Sequence, residues 1–327
     1  MNSERIRLAC IGCGRIAQDH LDAISKIEIA SIVGVVDTNT DVVQSVANQF
    51  ECDSFTSHTD LFKNCDIDAV LICTPPTTHS EIASYFLDRG IHVLCEKPLA
   101  TNIKEGEKMW KKARDADVIC MMATKFRFVE DIVKAKGIIE SGKLGNILFF
   151  ENTFSSYVDM SKRWNSQPEI SGGGVLIDNG THSLDIAKFL LGGVDSIQAV
   201  NGAQIQNISV EDSVKVFFKS IGEVLGSIDL SWSINKNIDD YVSIYGTEGS
   251  LSIGWSQSHY IIRDKSEEVQ FGSGYNKREA FLKQHRHFID CVRGVSKPII
   301  SMEDGVNSIK MISSAYKSMN EKKWIKL

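Results

Sequence analysis

The chain has 327 residues, which is more than one hydrophobic core usually fills, so two domains are expected. Its formal net charge is -6 at pH 7, and Lys and Arg are spread along the sequence, which argues against a nucleic-acid partner. No apolar stretch approaches the roughly 20 residues that cross a bilayer, and the first residues lack the apolar core of an export signal. We therefore expect no membrane partner and a cytoplasmic location.

The eight cysteines are scattered along the chain. Only Cys10 and Cys13 form a close pair, and no second pair stands at the spacing of a zinc site. The sequence also contains "HRH" at 285–287, but successive side chains of a helix point apart. We expect buried thiols and no metal site.

The first 122 residues alternate short apolar runs with longer amphipathic stretches. The short runs are almost continuously apolar, as in strands buried on both faces. The segments between them space their apolar residues three and four apart, which is the helical period. This alternation predicts an α/β domain with a doubly wound parallel sheet. The predicted strands are "IRLACIG", "SIVGVVD", "AVLICTP", "HVLCEKP" and "VICMMAT".

The pattern changes beyond residue 123. After one amphipathic helix, runs such as "SVKVFFK" and "DYVSIYG" alternate apolar and polar residues and are separated by turn residues. This period of two predicts an antiparallel sheet with one face covered and one freer. Two helical stretches close the chain. We expect domains at 1–122 and 123–327, with the last helix close to the first domain.

A glycine-rich turn follows the first predicted strand and has the pattern G-x-G-x-x-A. The first glycine permits a tight turn, the second lets the backbone approach a pyrophosphate, and the small last residue packs helix against strand. Such turns also merely join a strand to a helix, but the position at the start of a βαβ unit favours dinucleotide binding at a helix N-terminus. The expected cofactor-binding residues are Gly12, Gly14, Arg15, Ile16 and Ala17.

Asp37 ends the second predicted strand, about 20 residues beyond Ala17, where a ribose-binding acid is expected. A carboxylate there accepts hydrogen bonds from ribose hydroxyls and repels a 2′-phosphate, and the following "TNT" contains no arginine. The sequence therefore favours NAD over NADP. The alternative interpretation is an ordinary aspartate in a strand-end turn.

Two further turns end predicted parallel strands, in "CTPPTTH" and "CEKPLA". Ligands bind beyond the carboxyl ends of such strands, so both turns are expected to face the nicotinamide end of a dinucleotide. Lys97 then lies near the chemistry, although a solvated surface lysine is the alternative. His20 and His79 lie near the cofactor or pack within helices. The expected cofactor contacts of these turns are Thr74, Pro75, His79, Glu96 and Lys97.

Together these motifs resemble the glucose-fructose oxidoreductase, inositol dehydrogenase and MocA (Gfo/Idh/MocA) family. The resemblance also includes "GGGVLIDNGTHSLD" and spans nearly the whole chain. It implies an N-terminal Rossmann domain joined to a C-terminal α+β domain with a large open, mostly antiparallel sheet. It further implies NAD(P)-linked oxidation or reduction of sugars and cyclitols, and homodimers or homotetramers that pair those sheets.

The resemblance implies Lys97, Asp178 and His182 as the catalytic set and Asp185 as a substrate contact. If the segment after the glycines is helical, the spacings of four and three place Asp178, His182 and Asp185 on one face. Histidine is suited to take the proton of a hydroxyl, and Lys97 to share that transfer or to donate a hydrogen bond to the developing alkoxide. Asp178 would orient the imidazole. A structural histidine and a solvent-facing Asp185 are the alternatives.

Other candidate substrate contacts are less specific. "KRWNSQPE" offers Arg163 and Trp164 as a polar and aromatic wall for a sugar, and a surface loop fits that run equally well. Lys125 and Arg127, just beyond the last parallel strand, either reach the cleft or shield the end of the sheet.

We expect an NAD(P)-dependent dehydrogenase that acts on the CH–OH groups of a small carbohydrate, nucleotide sugar or cyclitol. One alternative is a glycosidase of the same family that uses tightly held NAD, although such members often carry an export signal. Another is a non-catalytic NAD-binding sensor or co-repressor. Such a protein need not keep Lys97 and His182, both of which stand in this sequence.

Overall fold

The computed structural model describes residues 5–265 and 268–327, in two compact units. One unit extends to Lys125 and includes Arg278–Asn307, and the other comprises Phe126–Lys277 and Ser308–Leu327. The division lies close to the predicted boundary at 122/123. The last long helix is divided between the units, and the predicted domain bounds 1–122 and 123–327 stay a prediction.

The first unit is built on a six-stranded parallel sheet with strand order β3-β2-β1-β4-β5-β6. All five predicted strands are confirmed, and most residues of their apolar runs are buried, with all four residues of β4 at 0% exposure. The sequence missed β3, which has only three residues. The strands are β1 Ile6–Ile11, β2 Ala30–Val36, β3 Asp53–Phe55, β4 Ala69–Ile72, β5 His92–Glu96 and β6 Cys120–Ala123.

Helices connect these strands and begin where the local chemistry favours a helix start. The side chain of Asn39 accepts hydrogen bonds from the N–H groups of Asp41 and Val42, and Asn102 accepts one from Glu105. These connections produce the doubly wound Rossmann arrangement, whose order reverses between β1 and β4. The helices are α1 Arg15–Ile24, α2 Thr40–Phe50, α3 His58–Asn64, α4 Pro76–Leu87 and α5 Ile103–Asp115.

The second unit contains a nine-stranded sheet of order β14-β13-β12-β11-β7-β10-β9-β8-β15, in which α6 and α8 contact the strands. The pairing is antiparallel except between β7 and β10. The strands are β7 Ile147–Ser155, β8 Val194–Asn201, β9 Ser213–Ser220, β10 Leu225–Ser231, β11 Asp240–Gly246, β12 Gly249–Gly254, β13 Ser258–Ile262, β14 Glu268–Gly272 and β15 Ile325–Lys326. The remaining helices of the chain are α6 Glu130–Glu140, α7 Pro168–Ser171, α8 Val175–Leu191, α9 Lys277–Val292 and α10 Met302–Glu321.

Alternation along β9 shows why this sheet has two different faces. Val214, Val216 and Phe218 are buried on one face, while Phe217 points to the other and is 37% exposed. The predicted period of two is therefore confirmed, with one face covered and one freer.

The eight cysteines are thiols, and both residues of the "CIGC" pair are buried, as the sequence predicted. Burial raises the pKa of the Cys13 thiol well above its ordinary value. Among residues 5–265 and 268–327, no group of His, Cys, Asp and Glu side chains is arranged to hold a metal ion. In the same part of the chain, no helix has the length and apolar character needed to span a membrane.

Candidate functional site

The glycine turn between β1 and α1 has the geometry of a dinucleotide site. Gly12 has a φ of +93°, and a Cβ there would stand 2.8 Å from the carbonyl carbon of Cys73, so only glycine fits. A Cβ on Gly14, in contrast, would meet no described protein atom within 4 Å. Ala17 is fully buried. The turn is thus closed toward β4 and open at Gly14, where a pyrophosphate would approach.

The N-terminus of α1 is free to bind an anion. Gly14 is its N-cap residue, and no side chain in the described part of the chain caps this end by hydrogen bonding. Its first turn contains no acidic residue. The N–H groups of the first turn and the helix dipole therefore favour a bound phosphate, so the turn fits a dinucleotide.

Asp37 accepts two backbone hydrogen bonds at this turn. Its Oδ2 accepts from the N–H of Cys13 at 2.8 Å, and its Oδ1 from the N–H of Asn39 at 2.9 Å. Asp37 therefore does stabilise the turn, which was the alternative to a ribose contact. Each carboxylate oxygen has a second lone pair, so these bonds leave acceptor capacity for ribose hydroxyls.

His79 connects the turns that follow β4 and β5. Its Nε2 lies 2.8 Å from the carbonyl oxygen of Thr74 and its Nδ1 lies 2.9 Å from that of Pro98. The ring is fully buried, and burial lowers its pKa. The structure thus gives His79 a role in fixing the two turns, and the cofactor contact that the sequence suggested for it stays a prediction.

Lys97 follows the last residue of β5 and is half-buried. Its backbone N–H donates to Oε2 of Glu96 at 3.0 Å. Glu96 is 8% exposed, and its Oε1 lies 2.8 Å from Nε2 of His20. Both carboxylate oxygens of Glu96 therefore have protein partners within the first unit.

In the second unit, α8 carries Asp178, His182 and Asp185, as the spacing predicted. Asp178 lies in the first turn, where the helix dipole favours a carboxylate. His182 follows one turn later and is 9% exposed, whereas Asp185 is 2% exposed. Burial therefore increases along this face of the helix from Asp178 to Asp185.

Asp185 forms an ion pair with Arg127. The Nε of Arg127 lies 3.1 Å and 3.0 Å from the two carboxylate oxygens, and Nη2 lies 2.6 Å from Oδ1. The side chains are 5% and 2% exposed. This buried pair anchors α8 to the 3-10 turn at Lys125–Phe128, and the substrate contacts that the sequence suggested for the two residues stay predictions.

The glycines before α8 provide space for other side chains of the chain. A Cβ on Gly173 would lie 2.0 Å from the hydroxyl of Tyr316, and a Cβ on Gly174 would lie 2.0 Å from the carbonyl oxygen of Glu211. The sequence suggested that a ligand approaches these glycines. In the structure, the chain's own Tyr316 and Glu211 occupy that space.

Glu211 caps the N-terminus of α8. Its Oε1 accepts hydrogen bonds from the N–H groups of Gly174 and Leu176 at 3.0 and 3.1 Å, and from the Tyr316 hydroxyl at 2.7 Å. Burial raises the pKa of this carboxyl despite those bonds. The sequence gave no local signal for Glu211 or Tyr316, because they lie far along the chain from the glycines.

An aromatic cluster lies next to His182 and contacts it through Phe126. The ring of Phe126 lies 5.1 Å from the imidazole and stacks on Tyr275 at 5.2 Å. Trp255 is 40% exposed and lies 4.5 Å from Tyr241. Faces of aromatic rings pack well against the C–H faces of a sugar. The sequence missed this cluster because its members lie on separate elements. They are Phe126 of the 3-10 turn, Phe154 of β7, Tyr241 of β11, Trp255 after β12 and Tyr275 after β14.

Arg163 and Trp164 lie in the connection between β7 and α8, where Trp164–Ser166 forms one 3-10 turn. Trp164 is 42% exposed. The backbone carbonyl of Arg163 accepts a hydrogen bond from the Ser166 hydroxyl at 2.7 Å, which fixes the turn. These contacts are local, so a sugar-facing role for the two side chains stays a prediction.

Comparison with known proteins covers both units. Residues 6–124 match the profile described as "Oxidoreductase family, NAD-binding Rossmann fold", GFO_IDH_MocA. Residues 136–327 match the profile of the C-terminal alpha/beta domain of the same family. The two matches together include most of the chain.

Curated relatives are similar over nearly the full length. The chain is 25% identical to myo-inositol 2-dehydrogenase of Thermotoga maritima, covering 98% of each chain. It is 27% identical to levoglucosan dehydrogenase of Pseudarthrobacter phenanthrenivorans, covering 76% of this chain and 69% of the relative.

Solved structures share the fold. A levoglucosan dehydrogenase in complex with NADH and levoglucosan is 22% identical and aligns with a TM-score of 0.92 over 99% of each chain. The WlbA dehydrogenase from Bordetella pertussis, in complex with NADH and UDP-GlcNAcA, is 24% identical and has a TM-score of 0.87 over 99% of each chain.

Proposed function

Because the chain belongs to the Gfo/Idh/MocA oxidoreductase family, whose N-terminal domain binds NAD, we propose that it transfers a hydride between NAD and a secondary hydroxyl or ketone of a carbohydrate. The substrate class is a sugar, nucleotide sugar or cyclitol. Relatives named for myo-inositol and levoglucosan support this class. The cofactor is NAD, and the open turn at Gly14 fits its pyrophosphate.

The observation that carries the proposal is the position of Asp178 and His182 on α8. The two residues lie one turn apart, on a helix whose N-terminus Glu211 and Tyr316 hold in place. His182 lies at the edge of the aromatic cluster, where a sugar ring finds apolar faces beside an imidazole. This arrangement provides a proton acceptor next to a surface suited to a carbohydrate.

The chemistry requires one proton acceptor and one hydride acceptor. Bound NAD supplies the hydride acceptor. His182 takes the proton of the substrate hydroxyl as the carbonyl forms, and Asp178 fixes the tautomer and orientation of its imidazole. Lys97 donates a hydrogen bond to the alkoxide that develops on the substrate oxygen, or shares the proton. In the reverse direction the carbonyl carbon would take a hydride from the reduced cofactor, and the same groups would return the proton to the carbonyl oxygen.

Reduction of NAD is the direct test. The purified protein is incubated with NAD and a panel of free sugars, inositols and UDP-sugars, and the absorbance of the reduced cofactor is followed. We expect reduction with at least one secondary alcohol of the panel. Absence of reduction with every compound, together with absence of the reverse reaction with keto-sugars, would favour the non-catalytic sensor.

The outer face of the nine-stranded sheet supports a homo-oligomer. Phe149 of β7 pairs in register with Leu225 of β10 and with Tyr245 of β11, and the three side chains are 50%, 50% and 41% exposed. Contiguous apolar side chains on an open sheet mark an interaction surface. We therefore propose that a second copy of the chain covers this face, as a homodimer or within a homotetramer. A cytoplasmic location remains a prediction from the sequence.

A further inference from the structure

Three titratable side chains form a hydrogen-bonded network in the core of the first unit. His20 of α1, Glu96 at the end of β5 and His285 of α9 are 0%, 8% and 0% exposed. Nδ1 of His20 lies 2.7 Å from Nε2 of His285, and Nε2 of His20 lies 2.8 Å from Oε1 of Glu96. The ring of Phe281 packs edge-on against His20 at 4.6 Å. The proposed chemistry uses neither histidine.

The hydrogen atoms of this network are tightly constrained. Nε2 of His20 must carry a hydrogen to donate to the Glu96 carboxylate, and one hydrogen lies between the two rings, whichever ring supplies it. Burial, together with the proximity of His20, holds the pKa of His285 well below its ordinary value, so His285 is neutral. Its Nδ1 has no hydrogen-bond partner in the described part of the chain. A polar network that leaves one buried atom unsatisfied is costly for the fold, which points to a role beyond packing.

The Glu96 carboxylate is the point where this network meets the turn that carries Lys97. Burial opposes its ionisation, but the hydrogen bond from His20 and the charges of His20, Lys97 and Lys125 outweigh burial, so the pKa of Glu96 lies below its ordinary value. The other oxygen of the same carboxylate accepts the backbone N–H of Lys97. An ionised, fixed Glu96 therefore determines where the backbone of Lys97 lies.

We propose that His20, supported by His285, is a positioning residue for Lys97 and acts through the Glu96 carboxylate. This inference rests on the proposed function, because the benefit of a fixed Lys97 appears in hydride transfer. His20 itself need touch neither substrate nor cofactor. His20 fixes one oxygen of the Glu96 carboxylate, and the other oxygen accepts the backbone N–H of Lys97.

Two substitutions of His20 separate its two hydrogen bonds. In His20→Gln the side-chain amide occupies the place of Nε2, so the donor to Glu96 is kept. In His20→Asn the amide occupies the place of Nδ1, so the side chain reaches toward His285 and leaves Glu96 without its donor. Both variants replace an imidazole by a smaller neutral amide. His20→Gln is therefore the matched control for His20→Asn.

We expect His20→Asn to lower kcat by up to about 10²-fold, which is the effect that a small misplacement of a catalytic group can have. His20→Gln should retain most of the wild-type kcat. The Kd of NAD and the melting temperature should differ little between the two variants. These measurements use the full chain with NAD and the substrate found in the panel.

The pH profile distinguishes positioning from a general packing defect. Without the bond from His20, burial dominates and the pKa of Glu96 rises, so Glu96 becomes protonated at a higher pH. The acid limb of kcat should then move farther to higher pH in His20→Asn, which loses both the hydrogen bond and the charge of His20, than in His20→Gln, which loses only the charge. The other charged and titratable groups that face Glu96 are unchanged in both variants, namely Lys97, Lys125, His79, Cys73 and Cys95.

A second readout requires no turnover. The ionisation of the Glu96 carboxyl is followed by carbon NMR in the wild type and in both variants, and we expect the larger rise of its pKa in His20→Asn. An inactive wild type with that result would remove the proposed substrate class and leave the coupling of His20 to Glu96 intact. Equal Glu96 titration in the two variants, or equal kcat and pH profiles in an active enzyme, would overturn the inference.

Discussion

Asp37 shows how one side chain serves both the fold and the ligand. Its two oxygens accept the N–H groups of Cys13 and Asn39, which fixes the glycine turn against the segment after β2. The sequence offered a ribose contact and a turn residue as alternatives, and the second lone pair of each oxygen makes the two roles compatible. A carboxylate at this place also disfavours a 2′-phosphate by charge repulsion.

We predict that the wild type binds NAD more tightly than NADP. In Asp37→Ala the affinities for the two cofactors should be more nearly equal. Loss of hydrogen bonds to a charged acceptor costs about 1.5–3 kcal/mol, so the Kd of NAD should rise roughly ten- to 100-fold. Fluorescence titration of both cofactors measures the two affinities. Asp37→Asn, which keeps one oxygen acceptor for the turn, is the control for turn geometry. Equal affinities of the wild type for NAD and NADP would contradict the assignment.

At the scale of one element, α8 depends on contacts that are remote in sequence. The space beside Gly173 and Gly174 is filled by Tyr316 and Glu211, and Glu211 caps the helix. The ion pair between Asp185 and Arg127 lies farther along the same helix. The positions of Asp178 and His182 therefore depend on anchors placed on either side of them along α8.

Gly174→Ala tests this anchoring. The added Cβ would stand 2.0 Å from the backbone oxygen of Glu211, and overpacking of this kind costs about 1–3 kcal/mol. We expect a lower free energy of unfolding by chemical denaturation and a lower kcat. Gly137→Ala in α6 is the matched control, because a Cβ there meets no described atom within 4 Å. That exposed helical site should gain up to about 1 kcal/mol. A Gly174→Ala variant as stable and active as the wild type would show that Glu211 can move away from the added Cβ at little cost, which would contradict the proposed anchoring.

Across the whole molecule, local sequence patterns predicted the elements better than their pairing. The five buried strands of the first sheet and the period-two strands of the second were predictable because each is an apolar pattern within one short segment. The parallel pairing of β7 with β10, the contact of His20 with His285 and the cap on α8 join residues that are distant in the chain. No local period encodes such contacts. The motifs therefore nominate Asp178 and His182 as site residues, which stays a prediction, and they contain no signal for Glu211 and Tyr316 at the start of α8.

The outer face of the nine-stranded sheet leads to a prediction about assembly. Phe149→Glu places a charge at the centre of the exposed apolar row and should shift the protein toward monomer, as measured by light scattering after size-exclusion chromatography. Ile221→Glu is the control, because Ile221 is 73% exposed but lies in the turn between β9 and β10. A wild type that is monomeric at all accessible concentrations, or equal dissociation in both variants, would exclude this face as the interface.

The assignment of Lys97 and His182 to the reacting hydroxyl is tested most directly by single-turnover kinetics of the two alanine variants. We expect His182→Ala and Lys97→Ala each to lower the rate of NAD reduction by about 10² or more, which is the usual contribution of a positioned acid–base group. The Kd of NAD should change little, and Lys104→Ala, an exposed position on α5, should match the wild type. A His182→Ala variant with nearly full activity, or a loss of NAD affinity equal to the loss of rate, would contradict the assignment.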